Sequence, residues 1–124
     1  MQTQKPFHIM VTDVNHHVRD YLKRELEKEA YNVSCANSGI EAYKALCSSS
    51  TVLDWIILDP ELLSPDEHSL LKKLVNQNSS VQIIIHTYDD VMTRQIVGNN
   101  VHFVLKGASS IKSIKEKISA GLTS

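Results

Sequence analysis

The 124-residue chain predicts an α/β protein built on one doubly wound, five-stranded parallel sheet with helices on both faces. Three observations predict it. Five short β-like runs alternate with five helix-like runs, and such alternation implies a parallel sheet with right-handed crossovers. The third and fourth β-like runs, LDWIIL and VQIII, are almost continuously apolar, as strands covered on both faces should be. Four of the five helix-like runs carry their apolar residues at helical spacing, so each of those has one face to bury.

FHIMV (7–11) is the first strand. Asn15 is placed to cap the first helix, HHVRDYLKRELEKEA (16–30), where Val18, Leu22 and Leu26, with Tyr21, form the apolar stripe. YNVSC (31–35) is the second strand, and Ile40, Tyr43, Leu46 and Cys47 mark a helix after Ser38. LDWIIL (53–58) leads to a helix through Leu70, Leu71, Leu74 and Val75, and VQIII (81–85) to a short one over DDVMTRQIV (89–97), whose apolar spacing is irregular. VHFVL (101–105) is the last strand. The fifth helix follows, with Ile111, Ile114, Ile118 and Leu122 on its core face. SSST (48–51) and QNSS (77–80) read as turns, no repeat is present, and residues 1–124 form one expected domain.

Composition narrows the function classes. With 42% hydrophobic and 22% charged residues the chain has the makeup of an ordinary globular protein, which argues against disorder. A net charge of −1, with no basic cluster, gives no reason to expect a nucleic-acid partner. No apolar run approaches twenty residues, so no membrane span is expected, and MQTQKPFHIMV lacks the apolar core of a signal peptide. Cys35 and Cys47 fit no metal or redox spacing and are expected as reduced thiols of a cytoplasmic protein.

Ligands of open parallel sheets bind outside the carboxyl ends of the strands. The first strand ends in VTDVN, presenting Asp13, and the third in WIILDPELL, presenting Asp59. The fourth ends in HTYDD, presenting His86 or Thr87, and the fifth in VLKG, presenting Lys106. Singly, Asp59 before Pro60 reads as a turn, Asp13 as a cap and Lys106 as an exposed lysine; their common register sets them apart. Two close carboxylates call for a cation, which Lys106 and a bound Mg²⁺ would supply. His16, His17 and His86 fall near the same edge, but without an i, i+4 pair or a cysteine they rank low as a transition-metal site.

An acid after strand one, Asp59 after strand three, a hydroxyl after strand four and Lys106 after strand five together resemble the receiver domain of two-component response regulators. VRDYL and the D-x-x-x-x-D from Asp54 to Asp59 add to the resemblance, as does Phe103 three residues before the lysine. The resemblance implies a flavodoxin-like (βα)5 three-layer sandwich with strand order 2-1-3-4-5. It implies a non-enzymatic signalling module in a phosphorelay, with Asp59 accepting a phosphoryl group from a histidine kinase or phosphotransfer protein. Asp13, Asp59 and the carbonyl of Glu61 would hold Mg²⁺, Thr87 (or His86) would meet a phosphoryl oxygen, and Lys106 would pair with the added charge. Phe103 and Thr87 would be the switch. Output would pass through protein contact, phosphotransfer or a domain beyond this chain.

The chain departs from that pattern at its site. Val14 stands where the family has a second acid, with Asn15 or the Glu61 side chain as stand-ins, and Gly107 replaces the proline after the lysine. Leu63 and Glu67 replace a common proline and glycine, and the segment from His86 to Phe103 is short. Two alternatives follow: a phosphorylation-independent interaction module on the same fold, and a haloacid-dehalogenase-like phosphatase using Asp13-x-Asn15. The second ranks low because Glu116 is the only acid after Lys106.

Overall fold

The computed structural model describes residues 7–47, 52–62, 80–88 and 100–122. β1 (His8–Thr12), β2 (Asn32–Ala36), β3 (Trp55–Leu58), β4 (Gln82–Thr87) and β5 (Val101–Leu105) form one parallel sheet in the order β2-β1-β3-β4-β5. α1 (His16–Glu27), α2 (Gly39–Cys47) and α3 (Ser110–Leu122) are the first, second and last of the expected helices. The helices expected around Leu70–Val75 and over 89–97 lie outside the described residues, as do Leu63 and Glu67.

The apolar stripes of α1 and α3 find their face of the sheet, whereas the stripe expected for α2 does not. Ile40 is 57% exposed, and the buried contact of that helix is Ala42, a small side chain that lets it sit close to the strands. Leu22 and Leu26 of α1 and Ile114 and Ile118 of α3 pack with Ile9, Val11, Ile57, Ile84 and Val104. On the opposite face Ala42 of α2 joins Met10, Ile56, Leu58, Ile83 and Ile85, with Phe103 half-buried against them. All four residues of β3 are buried, which is why its sequence is unbroken apolar. Fully burying side chains of this size stabilises the fold by about 1.5–3 kcal/mol each.

Local chemistry fixes the ends of the elements. The Asn15 side chain accepts a hydrogen bond from the His17 N–H at 2.9 Å and caps α1 as expected. The helix stops at Glu27, three residues short of the expected end, because Glu29 and Ala30 donate back to Leu26 and Glu27 in a closing turn. Ala30 there takes φ 66°, a left-handed conformation that suits glycine better. β3 begins two residues later than expected. Asp54 instead ties three strands at their amino ends: its carboxylate accepts from the His8 N–H at 2.8 Å, its N–H donates to the His8 carbonyl, and its carbonyl accepts from Gln82.

β4 runs two residues past its expected end and takes in His86 and Thr87, which pair in register with Val104 and Leu105. Side chains alternate along a strand. Thr87 therefore follows Ile83 and Ile85 toward the face that carries Phe103, while His86 follows Ile84 toward α1 and α3.

Candidate functional site

Asp13 and Asp59 follow directly on β1 and β3, adjacent strands in the sheet, and both are fully buried. Lys106 follows β5, two strands from β3, and its side chain crosses the carboxyl edge to reach both acids. Its Nζ donates to Asp59 Oδ2 at 2.7 Å and to Asp13 Oδ2 at 2.9 Å, with only 8% of the lysine side chain exposed. The Lys106 N–H donates to the Thr87 carbonyl at 2.7 Å, which anchors the residue to β4 before its side chain departs.

The second oxygen of each carboxylate is held by backbone. Asp13 Oδ1 accepts from the Asn15 N–H and Asp59 Oδ1 from the Glu61 N–H, both at 2.9 Å. The Glu61 contact depends on the Pro60–Leu62 turn, which bends the chain immediately after Asp59. Arg19 adds a bond from Nη1 to the Asp13 carbonyl at 2.6 Å, closing the loop between β1 and α1. Sequence spacing gave no sign of these donors, since any backbone N–H two residues past an acid looks the same in a sequence.

Electrostatics follow from burial and this bonding. Burial raises the Asp59 pKa, against the lowering by Lys106 and the Glu61 N–H, and the nearby Asp13 raises it further. Burial pulls Lys106 down, but the hydrogen bonds to Asp59 and Asp13 outweigh it, so its pKa is raised and the ammonium is firmly held. A buried pair of this kind holds its geometry strictly while adding little net stability, because desolvation offsets most of the attraction.

His86 is 3% exposed, and neither ring nitrogen has a partner among the described residues. Burial, then the Lys106 charge, lower its pKa to about 4, partly opposed by Asp13. The ring is therefore a neutral imidazole at pH 7. Thr87 is buried at the end of the same strand. Tyr88 follows it with its ring centroid 5.2 Å from Lys106 Nζ, a cation–π contact that the sequence did not suggest.

An all-oxygen donor set suits a hard cation such as Mg²⁺, which keeps several waters and needs only one or two carboxylates. Asp13 and Asp59 provide those. Val14, 54% exposed, offers no oxygen, and the Asn15 side-chain oxygen is already engaged as the helix cap. Among the described residues no group of three or more His, Cys, Asp or Glu side chains comes together to hold a metal ion. The His16 and His17 rings lie against each other, tilted by 38° with centroids 3.9 Å apart.

The model of the response regulator receiver domain family matches residues 9–118. The chain belongs to that family. It is a receiver domain, a signalling module of phosphorelays rather than an enzyme by family type. The receiver also resembles solved structures. A CheY-like response regulator receiver domain protein from Methanospirillum hungatei is 19% identical, with 96% of this chain and 95% of that one covered and a TM-score of 0.79. The response regulator TrrA from Thermotoga maritima, solved in complex with Mg²⁺ and BeF, is 25% identical over 92% of this chain and 97% of that one, with a TM-score of 0.74. The receiver domain of the hybrid histidine kinase CckA is 22% identical over 91% and 96%, with a TM-score of 0.68. No curated protein matches the chain. Among the described residues no helix of the receiver is long and apolar enough to cross a membrane.

Proposed function

We propose that this receiver accepts a phosphoryl group on Asp59 from a phosphohistidine of a kinase or phosphotransfer protein and signals by changing its protein contacts. The observation that carries the reading is the two-carboxylate, one-ammonium cluster at the carboxyl edge. A carboxylate oxygen of Asp59 attacks phosphorus, the P–N bond of the donor breaks, and its electron pair returns to the imidazole. The Glu61 N–H holds one Asp59 oxygen, so the carboxylate keeps a fixed orientation while the other oxygen is exchanged from lysine to phosphorus. Lys106 then turns its charge to the phosphoryl oxygens, and Asp13 keeps the ammonium over the site.

Mg²⁺ held by Asp13, Asp59 and the Glu61 carbonyl would neutralise phosphoryl charge when bound. Thr87 fills the hydroxyl role in preference to His86. It lies on the face of the sheet that carries Phe103 of β5, two register steps beyond the Ile85–Phe103 pair. A threonine drawn toward a new dianion would make room for Phe103 to pack inward, and the altered β4–β5 face would be what a partner reads. Partners are accordingly a phosphodonor protein and a downstream protein.

Incubation with acetyl phosphate and Mg²⁺, followed by intact-mass measurement, tests this. One hydroxylamine-labile phosphoryl group is expected in the native chain and none in Asp59→Asn. No modification of the native chain, or equal modification of the variant, would sink the assignment.

A further inference from the structure

A cavity of about 310 Å³ opens between α1 and the carboxyl ends of β4 and β5. Val18, Tyr21 and Leu22 of α1 form one wall, and His86, Tyr88 and Lys106 lie opposite. Tyr21 and Tyr88, 42% and 72% exposed, are the outer lining residues, while the buried Leu22 and His86 form the inner lining. The volume suits a molecule of one or two rings, at the lower end of small-molecule sites.

His86 is the residue that a plain core does not account for. An apolar side chain would fill the inner end at no polar cost, whereas a buried imidazole without a hydrogen bond loses about 1–3 kcal/mol. Neither Nδ1 nor Nε2 has a partner among the described residues, so no bond holds the ring against turning toward the cavity. Being neutral, it offers one donor and one acceptor.

Charge selects the ligand further. The Lys106 ammonium is committed to two carboxylates, and all four carboxylate oxygens are engaged by Lys106 or backbone N–H groups. In the metal-free, unphosphorylated domain, where these charges are paired with one another, a charged molecule entering the cavity finds no spare countercharge. We propose that this cavity is a binding site for a small uncharged aromatic molecule, which stacks between Tyr21 and Tyr88 and hydrogen-bonds the imidazole of His86. The site does not depend on Asp59 being the phosphoacceptor, and its test uses no phosphorylation.

Phenol and toluene are the probes, titrated into the full chain and followed by amide spectra and by the ring ¹⁵N signals of His86. Saturable shifts are expected at Val18, Tyr21, Tyr88 and Gly107, with phenol bound about 10-fold more tightly than toluene, or about 1.4 kcal/mol. His86→Phe should erase that preference while keeping toluene binding, and Val18→Trp, which fills the cavity, should abolish both. Benzoate and benzylamine should bind more weakly than phenol. No saturable shift at the solubility limit of phenol, shifts confined to another surface, equal binding of phenol and toluene, or binding retained by Val18→Trp would each overturn the proposal.

Discussion

Replacing His86 by phenylalanine should change how the receiver responds to acid, because this imidazole is buried in its neutral form. Its pKa falls from an ordinary 6.5 to about 4 on folding, with burial as the first cause and the Lys106 charge as the second. The unfolded chain therefore binds a proton at a pH where the folded chain refuses it. Stability is then undiminished above pH 6.5 and is lost as pH falls from 6.5 toward 4. The full displacement corresponds to about 3 kcal/mol, of which about 2 kcal/mol is gone by pH 5. Phenylalanine keeps a ring of similar size, has no proton to bind and leaves no polar atom unpaired. The variant should match or exceed the native stability at pH 7.5, and the gap should widen by about 2 kcal/mol at pH 5. Urea unfolding at a series of pH values, followed by circular dichroism, measures both slopes. Lys106, Asp13 and His17 also face this region, and taking the native-minus-variant difference cancels their own titrations to first order. Parallel loss of stability in the two proteins between pH 7.5 and 5 would refute the reasoning, since it would mean that His86 is hydrated or paired in solution.

Lys106→Met should cost about 3–5 kcal/mol at neutral pH in denaturant unfolding, because it strands two buried carboxylates, and part of that should return on acidification as they protonate. Asp59→Asn should cost far less, since Lys106 keeps Asp13 as its partner. Ala30→Gly should stabilise the domain by about 0.5–1 kcal/mol, read as a rise in melting temperature, because the φ of 66° no longer strains a side chain. Val14→Asp should tighten Mg²⁺ binding about 10-fold in calorimetric titration, by adding an oxygen ligand beside Asp13; unchanged affinity would place the cation elsewhere. Ile57→Ala, at the fully buried centre of β3, should cost about 2–5 kcal/mol.

The fold was largely legible in the residues because burial leaves a periodic trace. WIIL reads as a strand covered on both sides and is buried at all four positions. The Val18–Leu22–Leu26 stripe turns inward with Leu22 and Leu26 fully buried. Asp13, Asp59 and Lys106 were legible as a set because each follows a strand that ends at the same edge. The ends of elements were less legible. The closing turn at Ala30 and the added pair of residues in β4 depend on backbone hydrogen bonds, which any side chain permits.

By itself the sequence determined the five-stranded parallel architecture, the buried faces of α1 and α3, the Asn15 cap and the three charged residues that meet at the carboxyl edge, since hydrophobic period and strand-end position are local properties. It misplaced the face of α2, where Ile40 is exposed and Ala42 is buried. Only the tertiary structure decided that one lysine serves both carboxylates, and that the Asn15 and Glu61 N–H groups hold their remaining oxygens. It also separated His86 from Thr87. Two neighbours in a strand point to opposite faces, and which face meets Phe103 and which meets α1 depends on how the strands pair in space.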